Sequence, residues 1–202
     1  MLNKIGCYLM FALVAIGYRD ASAAIYPALT GTVIDAATGK PVQGASVLVY
    51  WTKSVLRPPI EAGSELVKAR LAETDHDGRY HIDGIIKLLG AFEFKGDTVL
   101  IVYQPGYCVQ IEQEYRGDSK VIIKEGNLIK LERIPPDFDH GKHYEEIEDA
   151  LRGVDDYSYM LPDGSVTWNS AKNSALNGQP EKQELLRRAY WEEERSRRKY
   201  ER

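Results

Sequence analysis

The stretch Asp75-His76-Asp77-Gly78-Arg79-Tyr80-His81, DHDGRYH, places two carboxylates and two imidazoles within seven residues. Read as chemistry, it is the start of a metal site. Read as geometry, it is a turn, and the residues on either side decide between the two. Upstream, VKARLAET alternates: Val67, Ala69 and Leu71 face one way, and Lys68, Arg70 and Ala72 the other. Downstream, Tyr80 and Ile82 alternate with Arg79, His81 and Asp83. Two alternating runs around a glycine-containing connection predict a β-hairpin. Asp75 and Asp77 are then positioned to accept from nearby backbone N–H groups, and Gly78 to take a positive φ.

A calcium loop needs more oxygen ligands than this, including a distant bidentate Glu. Here the chain enters a strand directly after Gly78. His76 sits at the turn tip and His81 on a strand face, so the two imidazoles do not aim at one point. No metal ligand, catalytic residue or cofactor-binding residue is assigned from this stretch, and no cofactor is expected.

Working outward, short β-type runs separated by turn signals fill the chain from Leu29 to Ile134. LTGTVID is one, followed by the turn TGKP. ASVLVYW, Ala45–Trp51, is almost continuously apolar, which predicts a strand buried on both faces. TKSVLRPPIEAGSE, with Pro58 and Pro59 adjacent, reads as a long loop. DTVLIVY is a further buried strand, ended by Pro105-Gly106. VIIK-EGN-LIKLERI reads as a closing hairpin around Gly126. Strands at this spacing predict an antiparallel β-sandwich of about seven strands.

At the N-terminus, Lys4 precedes a twelve-residue apolar run, Ile5–Ile16, and the small residues Ala21 and Ala23 follow. This is the pattern of a secretory signal peptide, expected to span residues 1–23 with cleavage after Ala23; the competing reading is an uncleaved membrane anchor. The run is short for a bilayer-spanning helix, so no transmembrane helix is expected in the mature chain. Cys108 is then the one remaining cysteine, and an exported chain with one cysteine holds its fold without an internal disulfide. Cys108 itself reads as a small buried hydrophobe. A formal charge of −4 with no basic stripe argues against a nucleic-acid partner.

Residues 135–202 change character. HYEEIEDALRGV places Tyr144, Ile147, Leu151 and Val154 on one helical stripe. The run YSYMLPDGSVTWNS is loop-like with one hairpin signal at Pro162-Asp163-Gly164. EKQELLRRAYWEEERSRRKYER has high helix propensity and dense mixed charge, with Leu185, Leu186, Ala189, Tyr190 and Trp191 crowded into two turns. It reads as a solvated, fraying helix, so the C-terminal region is expected to be an α-helical, partly flexible extension.

Three blocks together resemble a known family. GTVIDAATGKPVQGASVLVY, with Gly31, Val33, Asp35, Gly39, Pro41, Gly44, Ala45 and Val47, is similar to the opening of carboxypeptidase regulatory-like domains. TDHDGRYHIDGI resembles their second block, and VLIVYQPGY the third. The resemblance implies a transthyretin-like (prealbumin-like) sandwich over residues 24–134 and says little about activity, because this fold hosts unrelated roles.

Two enzymes with related folds sharpen that point. Hydroxyisourate hydrolase opens with an L-T-x-H-V-x-D pattern. Leu29-Thr30-Gly31-Thr32-Val33-Ile34-Asp35 has Thr32 at the histidine position, and threonine is no general base near neutral pH. Asp77-Gly78-Arg79 matches that enzyme's D-G-R, while Tyr115-Arg116-Gly117-Asp118 only partly echoes its terminal motif. Intradiol dioxygenases hold iron with two Tyr and two His. The only close His pair here, His140 and His143, lies beyond the sandwich and reads as polar helix-entry residues. Arg116-Gly117-Asp118 is taken as an ordinary loop.

These residues describe an exported, periplasmic or secreted, non-catalytic module. Its expected work is binding an envelope protein, peptide or glycan, or structural assembly, at the bacterial cell envelope. The competing reading is a small envelope hydrolase of the same fold. Thr52–Leu66, with Trp51 at its base, and Lys87–Gly96, with Phe92 and Phe94, are the loops expected to offer a binding surface.

Overall fold

The computed structural model describes residues 22–57, 61–114, 123, 126–152, 158–160, 166–168, 180–182, 184–185 and 187–189. The apolar N-terminal run, Pro58-Pro59, Arg116-Gly117-Asp118, Val154, Leu186, Tyr190 and Trp191 lie outside them. The chain is mainly β, and its strands form a two-layer, largely antiparallel sandwich.

The first layer is built around β2, Leu29–Asp35, which pairs antiparallel with β5, Arg79–Ile82, and parallel with β9, Asn127–Leu131. Among the described residues, β2 is the pairing partner of β9. The first arm of the expected closing hairpin lies outside the described residues, apart from the buried Ile123. β1, Ser22–Tyr26, pairs antiparallel with β6, Ile85–Leu89. Its register continues that of β2 with β5, since Tyr26 lies opposite Ile85 and Leu29 opposite Ile82. One long ladder is therefore interrupted at Pro27, which has no N–H to give, and at Gly84 opposite it. A Cβ on Gly84 would come within 2.5 Å of the Tyr26 carbonyl oxygen, so only glycine lets the two arms close here. The strand β1 begins at Ser22, two residues ahead of the expected mature start at Ala24.

The second layer has the order β4-β3-β7-β8, with β3 Ser46–Arg57, β4 Glu61–Glu73, β7 Glu93–Tyr103 and β8 Gln110–Glu114. Two expected loops are corrected. Most of Thr52–Leu66 is the continuation of β3 and β4, paired as far as Arg57 opposite Glu61. Lys87–Gly96 is mainly β6 and β7, joined through Gly90–Phe92. The facing of β4 is also corrected. Trp51 lies opposite Lys68 but Thr52 opposite Leu66, so Val67 is the extra residue of a β-bulge. The bulge turns Val67 to the core between the sheets, whereas Ala69 and Leu71 pack on the other side of the layer.

Thr52 holds this irregularity together. Its Oγ1 accepts from the Asp97 amide at 2.7 Å, and its carbonyl accepts from the Tyr26 hydroxyl at 2.5 Å. A Cβ on Gly96 would collide with Thr52 Oγ1.

β3 is buried on both faces, as its apolar run predicts. Val47, Val49 and Trp51 join the core between the layers, with Val33, Leu100, Val102 and Ile129. Leu48 and Tyr50 join a second core on the outer side of the same layer, with Val99, Ile101 and Tyr103. Helices cover that second core. In α1, His140–Arg152, Ile147 and Leu151 are fully buried. In α2, helical at 180–182, 184–185 and 187–189, Leu185, Ala189 and Lys182 are fully buried.

The described part of the tail is therefore docked, which corrects the reading of a solvated helix. An apolar outer sheet face needs a cover, and burying a leucine side chain contributes about 1.5–3 kcal/mol. Ion pairs set its position: Arg188 binds Glu73 on β4 and donates to the Ser46 hydroxyl at 3.0 Å. Between the helices, β10, Ser158–Met160, pairs antiparallel with β11, Val166–Trp168, and the Pro162-Asp163-Gly164 signal lies outside the described residues.

Candidate functional site on the open face

The two outer faces of the sandwich differ. Helices cover that of the second layer, while the outer face of the first presents its side chains to solvent. Alternation along β2 sends Leu29, Val33 and Asp35 inward and leaves Thr30 and Thr32 outward; along β5, Tyr80 and Ile82 point in and Arg79 and His81 out. Register then sets Thr30 opposite His81 and Thr32 opposite Arg79. These four side chains, with Asp75 and Gly126, line an open groove of about 400 Å³. Beside Thr32, Leu128 is exposed on β9, and Ile25, Ile86 and Leu88 are exposed on the separate β1–β6 ribbon.

The DHDGRYH stretch borders this groove as a turn. The Asp75 carboxylate Oδ1 accepts from the Asp77 and Arg79 amides at 2.9 and 2.8 Å. Those amides hold its carboxyl below the usual range, Arg79 foremost. Asp77 is not its equal: its described contact is with the exposed His76, at 3.5 Å. Gly78 has φ 72°, and a Cβ there would meet the Val33 carbonyl oxygen at 2.4 Å. The turn is thereby pressed against β2. Among the described residues no three His, Cys, Asp or Glu side chains converge as a metal site.

Among the described residues, the groove lining offers hydroxyl, imidazole, carboxylate and guanidinium groups. His81 Nε2 lies 3.0 Å from Asp83 Oδ1, and both side chains are well over half exposed. Thr30 Oγ1 accepts from the Gly126 amide at 3.2 Å. Thr32, at the position of the hydrolase histidine, faces a guanidinium across the strands instead of a base. Tyr80, whose main chain borders the groove, turns its ring inward over Gly31. A Cβ on Gly31 would come within 2.6 Å of the phenol oxygen. Among the described residues that buried hydroxyl has no hydrogen-bond partner, and burial pushes it up to about 12.

Two other groups the sequence singles out have structural positions. Asp35 is buried at the end of β2. Its Oδ1 accepts from the Thr38 and Ala37 amides at 2.8 and 3.0 Å. Its Oδ2 accepts from Arg133 Nε at 2.7 Å and the Tyr107 hydroxyl at 2.9 Å. The Arg133 bond, then the Thr38 amide, hold this carboxyl far below the usual range. Asp35 thus ties the β2 turn to the segments after β7 and β9. His143 is not a polar helix-entry residue. It is buried, its Nε2 accepts from the Val109 amide at 2.8 Å, and its ring meets Phe138 edge-on. Cys108 is only half-buried, so it is not the core hydrophobe expected.

No protein-family model matches the chain, and no curated protein matches it. Among solved structures, 58% of the chain is similar to 54% of a catechol 1,2-dioxygenase chain from Acinetobacter radioresistens, at 15% identity and TM-score 0.36. A group B streptococcus pilus 2b backbone protein is similar over 54% of this chain and 41% of its own, at 16% identity and TM-score 0.34. A streptococcal ancillary pilin is similar over 55% of this chain and 30% of its own, at 16% identity and TM-score 0.31. The chain spans about half the length of the dioxygenase and less of the pilins. Likenesses of this size assign no activity.

The open face is the surface that sequence reasoning missed. The loops it favoured are mainly strands, and of their aromatics Trp51 is fully buried, Phe94 half-buried and Phe92 exposed. The alternation of β2 and β5 carried the missing signal, since it fixes which side chains point outward.

Proposed function

We propose that the chain is an exported, non-catalytic module of the carboxypeptidase regulatory-like type, with residues 24–134 as its sandwich. It binds a protein, peptide or glycan, or assembles structurally, at the cell envelope. The observation that carries this reading is the asymmetry of the sandwich. One outer face is sealed by α1 and α2, while the other is open and sets Thr30, Thr32, Arg79 and His81 beside exposed apolar side chains. Hydroxyls and a guanidinium lining a groove suit recognition by hydrogen bonding.

The test is site-specific photo-crosslinking in the envelope of an exporting host. A benzophenone side chain at Thr32 should give a discrete adduct, and one at Glu145 on the helical side should not. Equal labelling from both positions, or none from Thr32, removes the open face as the binding surface.

A further inference from the structure

An exposed apolar patch lies where the described chain begins. Ile25 and Ile86 are direct cross-strand partners, and Leu88 follows Ile86 on the same side of the ribbon. They are 64, 73 and 71% exposed, the largest such values among the exposed large apolar residues described. Ser22 lies opposite Leu89, and Phe92 comes three residues after Leu89. The Phe92 carbonyl accepts from the Leu56 amide, and both of these side chains are 45% exposed. Two further apolar side chains therefore sit at the same end of the molecule as Ser22.

What precedes Ser22 supplies the occupant. The apolar run Ile5–Ile16 ends six residues before it. Six residues span at most about 20 Å even when extended. A run held in a bilayer would thus keep the ribbon at the bilayer surface. The fold also uses the residues that cleavage after Ala23 would remove: Ser22 and Ala23 pair with Leu89 and Leu88. Cleavage there would start the chain at Ala24, which is 3% exposed and part of the core between the sheets. A new ammonium at that residue is costly to bury.

We infer that the N-terminal apolar segment is retained, and that the Ile25, Ile86 and Leu88 face of the β1–β6 ribbon rests on a lipid bilayer. The run is short for a free-standing membrane span, and the ribbon adds apolar contact beside it. The inference rests on the export reading, but not on the groove.

Two measurements on the full chain test it. The first is the intact mass of protein recovered from membranes of an exporting host, expected to include residues 1–21. A chain beginning at Ser22 or Ala24 overturns the inference. The second uses Cys7→Ser and Cys108→Ser to leave a single fluorophore at Ile86→Cys or, as control, Glu145→Cys. In vesicles of phosphatidylethanolamine and phosphatidylglycerol, brominated acyl chains should quench the probe at position 86 and leave the probe at 145 unchanged. No quenching at 86 overturns the inference. So does shielding from an aqueous quencher without quenching by lipid, which means that protein covers the face. The groove cross-link from Thr32 is read separately, so either proposal can fail alone.

Discussion

Lys182 donates from its ammonium to the carbonyl oxygen of Leu151 at 3.0 Å, closing the end of α1 with a side chain from α2. The same Nζ lies 4.2 Å from the centre of the Tyr50 ring, and the Tyr50 hydroxyl donates to the Ala150 carbonyl at 2.8 Å. Sheet, first helix and second helix meet at this fully buried cation. A carbonyl at a helix C-terminus and the face of an aromatic ring are both favourable partners for it.

Removal of the tail should therefore be damaging. A chain ending at Asn177 loses Lys182, Leu185 and Ala189 and uncovers Leu48, Tyr50 and Ile101. It should aggregate or unfold with a lowered midpoint in urea. Within the full chain, Leu185→Ala should cost about 2–5 kcal/mol by the large-to-small scale. Denaturant titration followed by circular dichroism measures both, and an unchanged midpoint for the truncated chain contradicts the docking of α2.

The DHDGRYH turn yields an ordered series. Asp75→Ala removes the acceptor of two backbone amides and should lower the melting temperature more than Asp77→Ala. Gly78→Val should be the worst of the three, by several kcal/mol. It places a β-branched side chain at positive φ and against the Val33 carbonyl. Adding a chelator should leave all the melting temperatures unchanged. Thermal melts of the three variants test the order.

Acid should loosen the fold through Asp35. Its carboxyl titrates lower in the folded chain than in the unfolded one, chiefly because of Arg133. Its contribution is therefore complete above the unfolded value of about 4 and drains away as pH falls below it. Urea midpoints measured from pH 7 down to pH 2 should fall in the acid range. Asp35→Asn should start lower at pH 7 and show a shallower acid slope.

Glu112 should act with the opposite sign. It lies opposite Leu100, facing the core between the sheets, and desolvation raises its carboxyl. An acid raised in the folded state is destabilising once it ionises, so its penalty grows as pH rises above the unfolded value of about 4.3. Glu112→Gln should be more stable than the parent at pH 7 and little different at pH 4. Paired denaturation curves at the two pH values settle the sign.

The sandwich was legible because alternation in β5 and the unbroken apolar run of β3 report directly on which faces are buried. The cover over Leu48 and Tyr50 was not legible. Leu185 and Ala189 form a short stripe in a highly charged segment, and only the uncovered sheet face gives that stripe a partner. Val67 was assigned to the wrong side because a bulge shifts parity without leaving a mark on composition. The β1–β6 ribbon escaped notice because small residues that suit a processing site also suit a strand. The groove was half-legible: alternation placed Arg79 and His81 outward, but register alone sets them against Thr32 and Thr30.

The parallel pairing of β2 with β9 has a temporal consequence. Gly31 lies beside Asn127, so the first long strand of the sandwich waits for a partner nearly a hundred residues later. Pairings this distant in sequence are slow to form, because the loop must close before any contact repays it. Until Leu131 has emerged, one edge of β2 stays unpaired and the core around Val33 and Ile129 stays open. The second layer can pair as soon as Glu114 has emerged, but the first layer, and with it the sandwich, closes only once the strand after Gly126 has arrived.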